Sequence, residues 1–549
     1  MLRDPRVTGF GDWQMIHHNW EAAYVSLKWF GEWPLWDPFH CGGVPILGNP
    51  ESQVYAPWFW VSFALGTVLA VKVMLLGHVV SALTGVYWLA RCRYQLRASS
   101  AALGALVWGC GGWLVWDGAG GHATFFAFAY APWLSLLVHR RREPLREAAG
   151  VAALLLLTLL EGGTYPLPYF VLFVAFELAV RALSTRTAAP CLRFAGVSFG
   201  LLAVCGAIRL VPIYLSLKAH PRTVPNDDAL ALAEVWQMLT ARAHAWRVPG
   251  HPFAWPEYGS YIGITALALA ALGLLRAVRG RWWHLLLGLG LWGSLMLGNL
   301  GTFAPFSLLH KLPVYDSLRV PSRFAVFVTL YLALLAAHGC EALLRRVSRP
   351  RLATALGMLL AAGVCADLLG ASMPIVRLWR EPPLADVEAR ADQFHLVNQD
   401  YYRFYASYPR LNLGTPTCYA GGMNWTASRA LWLGALPQVR VAPDAGRVLS
   451  WTKTPHVLRA EVELTRPARV ITNQNYAPAF RSHSGTPVDD RGRLALDLPA
   501  GKHTVELSYL PRELRVSAAV SCGGLALMLW LLLAGGPRRS SSDRARDAE

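Results

Sequence analysis

Charged side chains are scarce: Asp, Glu, Lys and Arg make up 15% of the 549 residues, where soluble domains carry about a quarter. With 54% hydrophobic residues, that scarcity excludes an ordinary soluble globular protein. Apolar runs near the roughly 20 residues needed to cross a bilayer recur along the chain, so it reads as a polytopic α-helical membrane protein. Cysteine pairs of the metal-binding type are missing too. None of the nine Cys forms a C-x-x-C, which removes the usual thiolate zinc sites. Cys92, Cys110, Cys205, Cys340 and Cys365 lie in or beside apolar segments, where a free thiol behaves as a small hydrophobe. No short-period repeat is present, and the opening "MLRDPRVT" is neither a signal peptide nor a span.

Positive charge is plentiful, a formal +17, and its placement decides its meaning. It sits in short clusters between apolar runs: "RCRYQLR" (91–97), "HRRREPLR" (139–146), "RALSTRT" (181–187), "RAVRGR" (276–281), "RRVSRPR" (345–351) and "PRRSSSDRAR" (537–546). Interhelical loops rich in Lys and Arg stay cytoplasmic, so the charge is a topology signal and nucleic acid is not an expected partner. Candidate spans are about 68–90, 99–116, 123–139, 146–160, 165–183, 193–216, 258–276, 281–298, 322–343, 351–370 and 516–535. If 68–90 runs from outside to inside, every basic cluster falls inside. The connections 117–122, 161–164, 217–257, 299–321 and 371–515 then fall outside.

The expected organisation follows. Residues 1–67 form a first extracytoplasmic loop, in which the short apolar stretch "PWFWVSFALG" (57–66) lies at the interface. A transmembrane bundle covers 68–370, with outer loops at 217–257 and 299–321. A separate extracytoplasmic region, 371–515, precedes a final span at 516–535 and a cytoplasmic tail at 536–549. Within that region, 451–510 alternates as strands do: "VLRAEVELT", "ARVITNQNY", "RLALDLP" and "HTVELSYLP". A small β-sandwich is expected there. Placing the start of the chain outside requires it to cross the membrane. An upstream transmembrane helix is therefore expected to be missing from this chain, raising the count from about eleven spans to about twelve. An N-terminus translocated without a signal of its own is the alternative. Cys41 and Cys418 share the outer side in this topology, which leaves a disulfide between them open.

The first loop, with an Asp in "GFGDWQMIHHNW" followed by "PLWDPFHCGGVPILGNPESQVYAP", resembles that of the YfhO-like bacterial membrane proteins. Later patches agree in order: "GGHATFFAFAYAPWL" (120–134), "LEGGTYPLPY" (160–169), "LRVPSRF" (318–324) and "NQNYAPAF…LDLPAGKHTVELSYLP". The resemblance implies a GT-C glycosyltransferase of the bacterial cytoplasmic membrane, with an extracytoplasmic active site and a polyprenyl-phosphate sugar as donor. An envelope glycan or lipid would be the acceptor. It also implies a first-loop carboxylate acting in transfer, which here matches Asp12.

Each candidate has a plainer reading beside it. Asp12 is either a general base or the cap of the helix beginning at Trp13. Glu51 and Gln53, after the Asn-Pro turn, either bind sugar hydroxyls or begin a helix. His122, with Asp117 close by, contacts phosphate or sugar, or caps at the interface. Glu161, ending an apolar span, lines the cavity or is solvated. Arg319 and Arg323 are the best phosphate ligands by geometry, against snorkelling to headgroups. Arg209, inside the 193–216 span, is a functional-site candidate by default, with pairing to Glu161 as the structural explanation. His17, His18, Asp37 and His40 leave a divalent cation open. However, no D-x-D follows Asp12, since Gln14 stands two residues on. Adjacent His17 and His18 also point apart on a helix. No cofactor is assigned, and membrane lipids are the remaining partner.

Two other functions stand against the transferase. A lipid-linked glycan transporter or flippase should show mid-membrane polar residues and broken helices. An inactive glycan-binding scaffold is the third reading.

Overall fold

The computed structural model describes residues 9, 11–140, 142–222, 224–225, 227–242, 248–278, 282–377, 390–398, 405–419 and 423–534. The expectations about the extreme N-terminus and the tail 536–549 lie outside the described residues. The chain is mostly helical with a C-terminal pair of sheets. Six helices are long and apolar enough to cross a membrane: Thr67–Cys92, Ala98–Gly120, Pro166–Thr185, Pro321–Leu344, Pro350–Val376 and Glu513–Ala534. The pair Ala189–Cys205 and Ala207–Ala219, bent by 77° at Gly206, makes a seventh if counted as one span. These make the chain an integral membrane protein.

Helices also occupy the other four expected positions, at Ala123–His139, Pro144–Leu160, Ile264–Val278 and Trp283–Met296. They are shorter than a span should be. At 1.5 Å per residue, helices of 14–17 residues reach only ~21–26 Å against a hydrocarbon core of ~30 Å. The first part of Ala123–His139 is wound as a tighter 3₁₀ turn.

Two four-stranded sheets form the expected sandwich. One has the order Gly446–Lys453, Val457–Leu464, Gly501–Tyr509, Phe480–Ser482; the other has Pro487–Asp490, Arg493–Leu498, Ala468–Asn475, Val439–Arg440. The period of two explains the packing. Leu458, Ala460, Val462 and Leu464 are buried, while Arg459 and Glu461 between them face out. This region is less separate than the sequence implies. Its core includes Leu35, Trp36 and Leu47 from the first loop. Trp36 is 1% exposed, with its ring 4.9 Å from Phe480 and 4.7 Å from Tyr509. A sandwich of this size buries little by itself, and the indole from the first loop completes its core.

The first loop is itself ordered. Trp13–Phe30 is a helix with Trp13, Trp20 and Val25 buried. The stretch 57–66 forms two short turns, Pro57–Trp60 and Ser62–Leu65. Cys41 is disulfide-bonded to Cys418, with Cα atoms 4.3 Å apart, so the sandwich region is tied covalently to the first loop.

Candidate active site

Asp12 stands at the start of the helix Trp13–Phe30, yet its carboxylate makes no capping hydrogen bond. Only its backbone takes part, its carbonyl accepting from the N–H of Ile16 at 3.1 Å. The helix start is held from outside. Asp12 N–H donates to the carbonyl of Gly120 at 3.0 Å, and Trp13 Nε1–H to that of Gly118 at 2.8 Å. Gly121 makes this seat usable: its φ is +81°, and a Cβ there would lie 2.4 Å from the nitrogen of Trp13. The Asp12 side chain is left to accept a hydrogen bond from the hydroxyl of Tyr419.

A second glycine turn seats Glu51 in the same way. Glu51 N–H donates to Asn49 Oδ1 at 3.0 Å. Gly162, with φ +72°, packs where a Cβ would come 2.5 Å from the Glu51 carbonyl oxygen. The glycine pairs of "GAGGH" and "LEGGTY" therefore serve one end: each lets a turn after a helix press on the backbone beneath a carboxylate. Gly162→Ala is expected to cost about 1–3 kcal/mol, the range for a non-glycine residue forced into such a conformation. Thermal unfolding in detergent is the check, and an unchanged Tm would contradict this seating.

Glu51 is buried, and its acidity is pushed up to about 7, first by burial and then by the Asp12 carboxylate. Arg222, Arg323 and Arg319 oppose that rise. The sign of the linkage is definite. Between about 4.5 and 7 the folded chain keeps a proton that the unfolded chain has lost, so this contribution to stability falls as pH rises through that window. Glu51→Gln removes the fall. Its Tm relative to wild type should be higher at pH 8 than at pH 5 by roughly a few degrees, and a pH-independent difference would contradict the burial argument.

A charged string runs beside these carboxylates. Asp117 Oδ1 lies 3.1 Å from His122 Nδ1, and His122 Nε2 lies 3.9 Å from Glu257. Glu257 accepts two bonds from Arg323, from Nε at 2.7 Å and Nη2 at 2.6 Å. Burial opposes charge on His122, but Glu257 and Asp117 outweigh it and raise the imidazole to about 9. Burial likewise opposes charge on Glu257, and Arg323 and His122 bring it down to about 2. Arg323 also lies over the rings of Tyr165 and Phe125, 4.0 and 4.4 Å from their centroids. Arg319 is exposed, over Phe253, and neither it nor Arg222 makes an ion pair among the described residues. Several buried polar atoms here have no hydrogen-bond partner: Glu51 Oε2, Ser52 Oγ, Gln53 Nε2, Tyr165 Oη and Arg323 Nη1. Buried polar atoms are normally bonded, so these atoms are free to meet a polar ligand or water.

No family model and no curated protein sequence matches the chain. Among solved structures, the cryo-EM structure of the arabinofuranosyltransferase AftD from Mycobacteria is similar at a TM-score of 0.48 and 15% identity, over 93% of this chain. The chain spans 38% of that protein's length.

The other expected residues divide. Glu161 is neither solvated nor open to a cavity: it is buried and accepts from Trp58 Nε1 at 2.6 Å and Tyr130 Oη at 2.8 Å, with His78 Nε2 at 3.1 Å. Gln53 accepts from Trp20 Nε1 at 3.0 Å, which leaves only its amide nitrogen for a ligand. Arg209 does not pair with Glu161. It donates to the carbonyls of Leu47, Asn49 and Ser52 at 2.5, 3.0 and 3.1 Å, clamping the segment that carries Glu51. Within the His/Asp cluster, His18 lies 2.8 Å from Asp37 and His40 accepts from the Tyr419 N–H at 2.8 Å, while neither ring nitrogen of His17 has a hydrogen-bond partner. Burial holds His17 and His40 near 3, uncharged. Among the described residues, no group of three or more His, Cys, Asp or Glu is arranged to hold a metal ion.

A cleft of about 690 Å³ lies elsewhere, between the sandwich, the first loop and the helix Ala207–Ala219; Leu47, Pro212, Trp425 and Arg481 are among its lining residues, and the Asp12 group is not. Sequence reasoning missed Glu257 and Tyr419. Only the neighbouring Cys418 signalled Tyr419, because its pairing with Cys41 brings the two segments together. Nothing in "WPEYG" marks Glu257.

Proposed function

We propose that this chain is a membrane glycosyltransferase of the YfhO-like, GT-C type. In this reading it moves one sugar from a polyprenyl-phosphate donor to an envelope glycan or lipid acceptor at the extracytoplasmic face of a bacterial cytoplasmic membrane. The observation that carries the reading is the Asp12 carboxylate, which is not spent on capping its helix and stands in electrostatic range of Glu51 and His122.

Asp12 takes the proton of the acceptor hydroxyl as that oxygen bonds to the anomeric carbon. The bond from that carbon to the phosphate oxygen breaks, and polyprenyl phosphate leaves. A single displacement of this kind inverts the anomeric centre. A positioned base contributes about 10²–10⁴ in rate, and cations facing the leaving phosphate add to it. Arg319 and Arg222 suit that task because neither is paired among the described residues. Arg323 is already neutralised by Glu257 and offers only Nη1, as an orienting donor.

We read all eleven helical segments as spans, the short ones accommodated by local thinning or burial in the bundle. Their alternation puts the turns at Gly121 and Gly162 and the start of Pro321–Leu344 at one end, with the basic clusters at the other. The Cys41–Cys418 bond supports an oxidising compartment for the first end. One feature favours a transporter, the 77° break at Gly206, since broken helices line transport paths. Against it, Arg209 beside that break is 0% exposed and spends both terminal nitrogens on first-loop carbonyls, leaving only its buried Nε without a partner.

The test is to offer the purified chain, in lipid nanodiscs, a panel of farnesyl-phosphate-linked pentoses and hexoses with envelope extract as acceptor. Acceptor-dependent release of farnesyl phosphate from one donor is expected. Uptake of a lipid-linked glycan into vesicles with no release would favour the transporter.

A further inference from the structure

The disulfide and Tyr419 form one device. Cys41 in the first loop is bonded to Cys418, 377 residues later. Two backbone bonds run alongside, from Cys41 N–H to the Thr417 carbonyl at 3.2 Å and from Gly42 N–H to the Thr415 carbonyl at 2.9 Å. One residue beyond the sulfur bridge, Tyr419 N–H donates to His40 Nε2 at 2.8 Å. The ring of His40 packs 5.4 Å from that of His18, which Asp37 holds. The backbone of Tyr419 is thus fixed from three directions, and its phenol reaches the Asp12 carboxylate. Among the described residues, no other side chain donates a hydrogen bond to Asp12. The remaining seven cysteines are unpaired thiols, so a reductant acts on this bond alone.

We propose that Tyr419 is a positioning residue for Asp12, and that the Cys41–Cys418 disulfide is the tether that keeps it in place, so that the chain works fully only when this bond is oxidised. The inference rests on the transferase reading above. By occupying Oδ1, the phenol turns Oδ2 toward the acceptor hydroxyl. Reduction by a dithiol breaks the S–S bond and adds two electrons and two protons to the sulfurs, while the reductant closes its own disulfide. The segment bearing Tyr419 then loses its covalent link to the first loop and is held by non-covalent contacts.

The experiment compares Tyr419→Phe, Cys418→Ser and dithiothreitol-treated wild type, using the farnesyl-phosphate sugar that turns over in the panel. Tyr419→Phe should lower kcat about tenfold, the scale of one hydrogen bond to a charged group, and leave KM within about twofold. Cys418→Ser and reduction should each reproduce the fall in kcat. In Tyr419→Phe, reduction should change the rate by less than about twofold, since coupled changes are not additive.

The proposal is overturned if Tyr419→Phe keeps the wild-type rate, or if reduction slows wild type and Tyr419→Phe by the same factor. If no donor turns over, the transferase reading has failed by itself, and hydrogen exchange decides the tether. Faster exchange at 11–18 on reduction of wild type supports it, and unchanged exchange overturns it.

Discussion

Asp12→Asn is expected to lower transfer by a factor of about 10²–10⁴, the usual contribution of a general base, with the fold unchanged. The substitution separates chemistry from structure because of where the side chain sits. Asn has the same shape, can still accept from the Tyr419 hydroxyl, and caps helices as well as Asp does. The backbone bonds to Gly120 and from Ile16 do not involve the side chain. A variant with wild-type Tm and little activity therefore identifies the carboxylate as the reacting group. If transfer survives within about threefold, the general-base contribution is absent at Asp12 and the base lies elsewhere, with Glu51 the next candidate.

The largest structural effect is expected at Arg209. Its guanidinium is 0% exposed and serves the carbonyls of Leu47, Asn49 and Ser52, with the Tyr55 ring 5.1 Å away. Arg209→Met keeps much of the volume and strands every one of those acceptors. A stranded buried acceptor costs about 1–3 kcal/mol, and Arg209 serves three of them. Much of the stability of an average domain is of that size. The folded yield in detergent should fall sharply, and any folded protein should transfer poorly, because the clamped segment carries Glu51. Arg209→Lys should rescue only part of the loss, since one ammonium cannot reproduce a planar fork aimed at several carbonyls. Size-exclusion profiles and Tm are the readouts, and a wild-type profile for Arg209→Met would remove the clamp from the account.

How much of this was legible depended on the range of the interaction. The sandwich strands were readable because Leu458, Ala460, Val462 and Leu464 alternate with polar residues, and a period of two is a local signal. Asp12 was readable as a candidate from its loop, although not as an uncapped carboxylate, because capping depends on a backbone angle. The partners of Arg209 lie about 160 positions earlier in the chain, and nothing local marks a carbonyl as an acceptor. Glu161 read as either cavity-lining or solvated at a helix end, and Trp58, His78 and Tyr130 converge on it only in the fold. Arg323 looked like an open phosphate ligand, and its partner Glu257, 66 residues away, closes most of it. The span count was the least legible part for a physical reason: apolar composition reports burial in the bundle as readily as exposure to lipid, so it does not separate the six helices long enough to cross from the shorter ones.

The most direct test of the central claim is the mass of the envelope glycans in a strain lacking this gene, restored with wild type or with Asp12→Asn at matched membrane levels. The account predicts that deletion removes the mass of one sugar from an envelope glycan or lipid, that wild type restores it, and that Asp12→Asn does not. Full restoration by Asp12→Asn, or loss of an entire polymer on deletion, would contradict it.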